Sequence, residues 1–457
     1  MAEIVPDPPT RPSRASAQRP ELHVFKHFTQ DEFYAFLGIF IVAGVHRSNK
    51  ENVDDLWNPD SIPLIRATTS KHRFKFFLRC IRFDNQNTRE ERLKTDKAAP
   101  IADIWLLLNN NLQKCYKPSD CITVDEQLFP FRGHTRFTQY IPSKPSKYGI
   151  KFFWAADPLN AYPLKGIIYT GKPNDGVRQT NIGERTVLDL VKQYKGSGRN
   201  VTTDNFFTTF SLAMTLKDWQ MTLVGTVRRN KRFVPANMQP AKERPVHSTN
   251  TAFTKYVTMC SYVPKKNKSV IMLSSMHQTC DIDATAKTKP EIINYYNSTK
   301  GGVDTMDKML SEYTVKRRTS RWPLAVFFNM IDVAGLAAYI IFSENNCQTK
   351  NRRVFLKTLA KQLCRNQIET RISDGNQMKN SGTRRAIETV LDQEIIGNVV
   401  ASENNSIMIS VRQGGRCYVC KSLNNRQRKT RKSCDNCNRP VCAEHSSEYT
   451  KCDNCAI

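Results

Sequence analysis

Eight residues near the C-terminus have the types and the spacing of zinc ligands. Between Cys417 and Cys455 the sequence reads C-x2-C-x13-C-x2-C-x4-C-x2-H-x6-C-x2-C, which contains four ligand pairs with two residues inside each pair. This spacing lets both ligands of a pair face one ion at about 2.3 Å. Because a tetrahedral site takes four ligands, the motif predicts two zinc ions, whose binding would drive the folding of a segment with little apolar core.

The sequence leaves open which pairs share an ion. An interleaved cross-brace joins the first pair to the third and the second to the fourth, which gives one site from Cys417, Cys420, Cys442 and His445 and another from Cys434, Cys437, Cys452 and Cys455. A sequential arrangement is the alternative. Disulfide bonds are disfavoured, because residues 1–14 have no apolar signal-peptide core and thiols stay reduced inside cells.

The loop between the first two ligand pairs is strongly basic. It carries Arg428 and Lys429 together with Arg426, Arg431 and Lys432. Such a run favours a nucleic-acid partner or nuclear import, and a solvated loop is the alternative. Cross-braced zinc modules also bind histone tails or ubiquitin-conjugating enzymes, but the residues between these pairs are polar and basic, so a ubiquitin ligase is the least favoured interpretation.

Four aspartates lie in or next to predicted strands and a helix, which could bring their carboxylates together. Asp125 lies in a short β-branched run (TVDEQ), Asp204 ends another (VTTDNFF), and Asp304 and Asp307 begin a helix (KGGVDTMDKM). Carboxylate oxygens suit Mg²⁺ or Mn²⁺ rather than zinc. Two such ions would activate water or a 3′-hydroxyl and stabilise the leaving oxygen of a phosphodiester. The alternatives are a strand-edge charge at Asp125 and a helix cap at Asp304.

The elements that position these carboxylates are predicted to form an α/β arrangement, a mixed sheet flanked by helices. Helical periodicity fills the chain up to about residue 117, short β-branched runs alternate with helices from there to Val227, and helices return from Pro290. We expect these segments: a disordered N-terminal stretch (1–27), a first helical part (28–120), an α/β domain (121–312) with an inserted β-unit (228–289), a second helical part (313–392), a linker (393–415) and the zinc module (416–457).

Composition bounds the function. The chain has 457 residues and a formal net charge of +27, which makes a polyanion the expected partner. Its most apolar run, Leu324–Phe342, contains Asn329 and Asp332 and follows Pro323, so we expect a buried core helix and no membrane association. An intracellular and nuclear location is expected.

Three long motifs resemble the piggyBac transposases. They are YIPSKPSKYGIK at Tyr140–Lys151, VGTVRRNKR at Val224–Arg232 and YNSTKGGVDTMDKMLSEYTVKRRTSRW at Tyr296–Trp322. The resemblance runs from about Phe28 to Cys455 and includes the Cys/His tail. One departure is visible: a short Pro/Arg-rich stretch stands where the family usually has a long acidic segment.

The resemblance implies a ribonuclease-H-like catalytic domain in which Asp125, Asp204 and Asp304 match the family's triad and Asp307 its additional carboxylate. It also implies a helical DNA-binding and dimerisation domain assembled from both flanks, an insertion after Val227, and a zinc module that recognises transposon-end DNA. Basic residues that we expect to contact DNA lie beside these parts: Arg228, Lys231, Lys316, Arg317, Arg318 and Arg321.

The implied activity is cut-and-paste transposition of double-stranded DNA by a homodimer. Strand cleavage at a transposon end, hairpin formation and joining to TTAA targets are the implied steps. The alternative is a domesticated, transposase-derived nuclear protein that binds DNA without mobilising it. Four intact aspartates favour the enzyme, because a cluster of like charges is costly unless cations occupy it.

Overall fold

The computed structural model describes residues 26–142, 144–171, 180–282, 288–346 and 351–399 and, towards the C-terminus, residues 415–422, 429–430, 432, 434 and 439–446. Residues 1–25 of the predicted N-terminal stretch and residues 400–414 of the predicted linker lie outside this part. The chain divides into two compact units, residues 1–391 and residues 392–457.

The first unit begins with five helices before the sheet: α1 (Gln30–Val45), α2 (Pro63–Thr68), α3 (Lys71–Cys80), α4 (Gln86–Thr95) and α5 (Ala102–Cys115). Helix α1 starts at a reciprocal capping box, in which the Thr29 hydroxyl accepts from the Glu32 amide and the Glu32 carboxylate accepts from the Thr29 amide. Its Phe36 ring stacks on Phe77 of α3 at 3.9 Å between centroids. Aromatic packing therefore fixes α1 against α3.

Nine strands form one mixed sheet: β1 (Cys121–Pro130), β2 (Thr138–Tyr140), β3 (Tyr148–Ala156), β4 (Pro163–Ile168), β5 (Asn200–Thr203), β6 (Thr222–Val227), β7 (Thr249–Phe253), β8 (Thr258–Lys265) and β9 (Lys268–Ser274). Its order is β2-β3-β1-β5-β6-β9-β8-β7, and β4 pairs with β3. The β1–β5 and β5–β6 pairs are parallel and the others antiparallel. The predicted mixed sheet flanked by helices is confirmed.

Four helices connect or follow these strands, namely α6 (Ile182–Val191), α7 (Phe210–Asp218), α8 (Glu291–Thr299) and α9 (Gly302–Glu312). Two crossovers, through α6 and α7, satisfy the need of the parallel strands for a long connection. Gly225 of β6 is required by close packing, since a Cβ there would lie 2.7 Å from the Thr203 carbonyl oxygen of β5 and still closer to the Thr208 hydroxyl.

The strands within the predicted inserted β-unit join the main sheet. β9 pairs with β6 from Val224↔Ser274 to Val227↔Ile271, so β7, β8 and β9 extend the sheet. A small apolar cluster on this side is built around Val224, Cys260 and Met272. The local β-pattern of residues 255–276 predicts strands, but it carries no information on the long-range partner of β9.

Four helices complete the first unit and lead out of it: α10 (Trp322–Asn345), α11 (Arg352–Ser373), α12 (Gly375–Met378) and α13 (Ser381–Val399). α11 packs directly on α1, where a Cβ on Gly38 would lie 2.6 Å from Cys364 Sγ and 2.8 Å from the Ala360 carbonyl oxygen. Arg371 of α11 also donates to the carbonyls of Arg66 and Ala67 in α2. Helices from both flanks of the sheet therefore share one core.

The predicted helical run from Pro290 onwards is interrupted, because the chain leaves helical conformation between α9 and α10. The buried Asp332 carboxylate of α10 accepts from the Thr314 hydroxyl at 2.6 Å and from the Val315 amide at 2.8 Å. The Arg317 guanidinium donates to the carbonyls of Ser48 and Glu51. These contacts hold residues 314–321 extended against the first helices.

Helix α10 runs through the core of the first unit. Of the described helices, it alone is long and apolar enough by length and composition to cross a membrane, and 67% of its apolar window is buried within the fold. Phe328 packs edge-on against Phe40 of α1 at 5.3 Å, and the side chain of Asn329 is fully buried. A buried core helix is expected to have these contacts.

Thr299, the last residue of α8, joins that helix to two strands. Its hydroxyl lies 2.9 Å from the Thr202 hydroxyl of β5, and its carbonyl accepts from the Thr123 hydroxyl of β1 at 2.5 Å. We expect Thr299→Val to destabilise the fold by about 1–2 kcal/mol, because it removes the Thr202 hydrogen bond inside the core. Chemical denaturation followed by circular dichroism would measure the loss.

The neighbouring exposed Ser298 is the matched control, since among the described residues its hydroxyl bonds to the Tyr295 carbonyl of its own helix and to no strand. Ser298→Ala should leave the denaturation midpoint nearly unchanged. Equal midpoints for wild type and Thr299→Val would contradict the role given to this contact.

Candidate active site and metal centre

Asp125 and Asp204 follow the last paired positions of two neighbouring parallel strands. The β1–β5 register ends at Val124↔Thr203, and the next residue of each segment is the aspartate. The Thr226 hydroxyl of β6 donates to Asp204 Oδ1 at 3.2 Å. The register therefore brings two carboxylates to adjacent positions at the carboxyl end of the parallel pairing.

Helix α9 carries Asp304 and Asp307 against β1. A Cβ on Gly302 would lie 2.9 Å from Thr123 Oγ1, so only glycine permits this approach of the helix to the strand. Asp304 is largely exposed, with 68% of its side-chain surface accessible. Asp307 is half-buried and accepts a hydrogen bond from Gln127 Nε2 at 2.8 Å. We call Asp125, Asp204, Asp304 and Asp307 the acidic edge.

Burial and mutual repulsion shape the protonation of the acidic edge. Burial, followed by the charges of Glu126 and Asp304, raises the pKa of Asp125 to about 7. Burial also raises the pKa of Asp307. The Tyr296 hydroxyl lies near the same carboxylates, and burial together with their charges raises its pKa to about 12. The acidic edge therefore concentrates carboxylates where they are partly shielded from water.

Two lysines lie among these carboxylates, and sequence reasoning assigned them no role. Lys144 Nζ is 3.5 Å from Asp304 Oδ1 and donates to the Glu126 carbonyl at 3.2 Å. Lys151 Nζ is 3.9 Å from Glu126 Oε2, and burial lowers its pKa. Both belong to the YIPSKPSKYGIK motif. The available signal was their position in a hairpin next to the strand that carries Asp125.

A buried network of polar side chains holds Asp307 in place, and the sequence analysis did not predict it. Gln127 donates to Asp307, and its Oε1 accepts from Trp154 Nε1 at 2.9 Å and from Asn329 Nδ2 at 3.1 Å. Asn329 is one of the two polar residues, with Asp332, that interrupt the apolar run of α10. A buried amide in such a run needs a partner, which was the available signal for this network.

The donor set of the acidic edge suits a hard divalent cation. All four donors are carboxylates, the ligands that Mg²⁺ and Mn²⁺ prefer. A cation would relieve the repulsion by Glu126 and Asp304, which adds to burial in raising the pKa of Asp125. Among the described residues, the acidic edge does not bring three carboxylate oxygens within 4.8 Å of one another. Sharing one ion would therefore require side-chain rotation.

The basic residues predicted to contact DNA divide into exposed and buried groups. Arg228 and Arg318 are exposed, and Arg228 Nε donates to Asn205 Oδ1 at 3.0 Å, directly beside Asp204. Lys231 and Lys316 are half-buried; Lys429 is exposed, and Arg428 lies outside the described residues.

Arg317 and Arg321 differ from the predicted surface cations. Arg317 is 6% exposed and bonds to backbone carbonyls of the first helices. Arg321 donates to the carbonyls of Leu78 and Ile81 at the end of α3. A run of basic residues does not reveal which of them have buried carbonyl partners far away in the sequence. Both arginines therefore hold the extended segment 314–321 against the first helices.

In the second unit, four of the predicted zinc ligands come together. The ligand atoms of Cys417, Cys420, Cys442 and His445 all lie within 4.8 Å of one another. Cys420 Sγ and Cys442 Sγ are 3.8 Å apart, and His445 Nδ1 is 3.3 Å from Cys442 Sγ. A zinc tetrahedron with bonds of about 2.3 Å has edges of roughly 3.8 Å, so these four residues fit that ion.

This grouping is the interleaved one, in which the first pair meets the third. Short elements surround it, namely β10 (Gly415–Arg416), α14 (Tyr418–Ser422) and β11 (Lys429–Thr430), with β10 and β11 paired antiparallel. Cys434 is buried in the same small cluster as Val419 and Val441. Cys437, Cys452 and Cys455 lie outside the described residues, so the second predicted site stays a prediction.

Comparisons with known proteins all point to transposases and to proteins derived from them. A family model described as "Transposase IS4" matches residues 13–339, a range that contains the whole acidic edge. PiggyBac transposable element-derived protein 3 of Homo sapiens is 25% identical over 332 residues, which is 66% of this chain and 54% of that protein. PiggyBac transposable element-derived protein 2 of Homo sapiens is 23% identical over 328 residues, 67% of this chain and 54% of that protein. The chain spans about half the length of these curated relatives.

A solved structure is similar over nearly the whole chain. It is a cryo-EM structure of a piggyBac transposase synaptic complex with hairpin DNA, with a TM-score of 0.79 and 33% sequence identity, covering 96% of this chain and 91% of that one. The family model matches well over half of the chain, and this structure is both similar in fold and related in sequence. The chain belongs to the piggyBac transposase family.

Proposed function

We propose that this chain is a DNA transposase whose mixed sheet is a ribonuclease-H-like catalytic core and whose acidic edge carries out metal-dependent cut-and-paste transposition. The observation that carries the proposal is the β1–β5 register, which ends immediately before Asp125 and Asp204. Helix α9 packs on β1 and so contributes Asp304 and Asp307 to the acidic edge. Membership of the piggyBac family supports this assignment.

In this proposal Asp125, Asp204 and Asp304 form the triad that holds Mg²⁺ or Mn²⁺, and Asp307 is the additional carboxylate. When bound, such ions activate the attacking oxygen and stabilise the leaving oxygen of a phosphodiester. Gln127 orients Asp307 through its 2.8 Å hydrogen bond. Lys144, beside Asp304, supplies a positive charge for the phosphate that reacts.

The DNA steps would follow the family's order. Water attacks the phosphodiester at a transposon end, which breaks the P–O bond and leaves a 3′-hydroxyl on the transposon strand. That hydroxyl attacks the opposite strand, forms a hairpin phosphodiester and releases a 3′-hydroxyl on the flanking DNA. A second water opens the hairpin, and the freed 3′-ends join TTAA targets. The hairpin DNA named for the similar solved structure supports the hairpin step.

The proposed partner is double-stranded DNA, both the transposon end and the TTAA target, bound by a homodimer in the nucleus. Arg228, exposed next to the segment that carries Asp204, is the basic residue best placed to contact target phosphates. The helices of residues 28–120 and 313–392 would supply the DNA-binding and dimerisation surface. In the second unit, the zinc module with its basic loop at Lys429 would recognise transposon-end DNA.

The alternative remains a domesticated protein that binds DNA without mobilising it. Asp125, with its pKa raised by burial and by neighbouring acids, favours the enzyme. Repulsion of this kind costs stability in a protein that never binds a cation. Cleavage of a transposon end by wild type and by Asp204→Asn separates the two functions.

Replacing Asp204 tests the triad. With a transposon-end duplex taken from the DNA that flanks the coding sequence, wild type should nick the end in the presence of Mg²⁺. Asp204→Asn removes one carboxylate charge from the acidic edge and should slow nicking by at least roughly 100-fold, because several kcal/mol of transition-state stabilisation are lost. A radiolabelled cleavage assay measures both rates.

Asp218→Asn is the matched control, since Asp218 is an exposed aspartate at the end of α7. It should cleave like wild type. If Asp204→Asn also nicks at the wild-type rate, the triad assignment is wrong. If wild type binds the duplex but never cleaves it, the domesticated alternative is correct.

The zinc content tests the second unit. Elemental analysis of native, reduced protein should give two zinc ions per chain, and Cys442→Ser should lower that number because it removes a ligand from the Cys417–His445 cluster. The same variant should weaken binding to the transposon end, since zinc binding and folding of this segment are coupled.

Cys115→Ser is the matched control, because Cys115 is an exposed cysteine of α5. Its zinc content should equal that of wild type. A zinc content near zero in native wild-type protein would disprove the zinc module.

A further inference from the structure

A cleft of about 1000 Å³ lies outside the acidic edge. Its walls come from residues 82–84 after α3, from α4 and the loop that follows it, from residues 134–137 between β1 and β2, and from residues 320–323 at the start of α10. Phe83, Leu93 and Pro100 give it an apolar lining between the polar groups. No step of the proposed reaction uses this cleft.

The cleft is lined by five basic side chains and one carboxylate. The basic residues are Arg82, Arg89, Lys97, Arg136 and Arg321. The carboxylate, Asp84, has a side chain only 1% exposed and accepts from Arg89 at 2.6 and 2.9 Å and from Arg92 at 3.0 Å. Its negative charge is therefore already paired, and the cleft keeps a positive surplus.

Two of these arginines are held by backbone carbonyls rather than by carboxylates. Arg321 donates to the carbonyls of Leu78 and Ile81, and Arg82 also donates to the Ile81 carbonyl. A carbonyl orients a guanidinium without cancelling its charge. Burial lowers the pKa of Arg321, and the nearby charges of Arg82 and Arg89 lower it further; an anion in the cleft would relieve this second, smaller effect.

Arg136, from the loop between β1 and β2, completes the set. It is exposed, and within the part of the chain that the structure describes it has no carboxylate within 4 Å. Its guanidinium is therefore available to a ligand. Oriented guanidinium groups match the oxygens of a phosphate, to which they donate paired hydrogen bonds.

We propose that this cleft is a phosphate-binding site in which Arg82, Arg136 and Arg321 hold a backbone phosphate of the bound DNA at a distance from the acidic edge. The ligand class is a phosphate group, and the DNA source rests on the proposed function. Because backbone carbonyls already orient Arg82 and Arg321, these two guanidinium groups would bind without reorganisation. It would fix the position of the duplex rather than read its sequence.

The sheet register gives the separation between the two sites. Asp125 and Pro130 both lie in β1, five positions apart, and a strand rises about 3.3 Å per residue, so Pro130 is roughly 16 Å from Asp125. Thr138 pairs with Ile150 of β3, which also pairs with Phe129, and a Cβ on Gly133 would touch the Phe131 ring and the Ser320 carbonyl, so this loop lies at the Pro130 end of β1. A DNA duplex rises about 3.4 Å per base pair, so this span along β1 corresponds to roughly five base pairs between a phosphate in the cleft and the reacting one.

The test uses the full-length chain without added divalent cation and two probes, inorganic phosphate and a transposon-end duplex. Inorganic phosphate should raise the thermal midpoint of wild type, and Arg136→Gln should lose most of that shift. For the duplex, fluorescence anisotropy between 50 and 200 mM salt should give roughly tenfold weaker binding for Arg136→Gln and a salt slope smaller by about one. Arg82→Gln should act in the same direction.

Arg132→Gln is the matched control, because Arg132 is an exposed arginine near the same loop that does not line the cleft. It should keep the phosphate-induced shift. Loss of phosphate and duplex binding together in Arg136→Gln establishes the DNA phosphate as ligand. Loss of phosphate binding alone assigns the cleft to a free phosphate and overturns the DNA part. An unchanged shift in Arg136→Gln and Arg82→Gln overturns the site.

These outcomes are separable from those of the proposed function. Asp204→Asn should lose cleavage and keep the phosphate-induced shift. A wild type that binds phosphate through Arg136 but does not cleave DNA refutes the proposed activity and leaves the cleft in place. A wild type that cleaves DNA with an unresponsive cleft refutes only the cleft.

Discussion

The geometry of the acidic edge depends on one joint, the pair of hydrogen bonds by which Thr299 connects the end of α8 to β1 and β5. The bonds lie in the core, where an unpaired hydroxyl is costly, so the helix end has one stable position. The chain turns there through two glycines, and α9 starts where Gly302 contacts Thr123. The positions of Asp304 and Asp307, in the first two turns of α9, depend on these hydrogen bonds.

A second set of hydrogen bonds connects the core helix α10 to the acidic edge. Asn329 is buried and bonds to Gln127, and Gln127 in turn bonds to Asp307 and Trp154. A buried amide network is stable only when each member is satisfied, so a shift of α10 would be felt at Asp307. The apolar packing of the helical region and the polarity of the acidic edge are thereby linked through one glutamine.

Local pattern predicted the mixed sheet, because alternating β-branched runs and amphipathic helices are written in short stretches of sequence. The interleaved pairing that brings Cys417 to Cys442 was one of the two arrangements that the sequence allowed, because all the ligands lie in one short segment. Long-range partners could not be predicted: β9 joins β6, and Arg317 bonds to Ser48 across most of the chain. A basic run has the same sequence whether its members face water or a distant carbonyl, and only the fold decides.

The contact between α1 and α11 has a consequence for synthesis of the chain. α1 buries eleven of its sixteen residues, and much of that surface is covered by a helix that begins about 300 residues later. At roughly 5–20 residues per second, the ribosome would need on the order of 15–60 seconds to deliver that cover. During this interval the face of α1 that α11 covers stays exposed, so this packing step can come only after α11 has emerged.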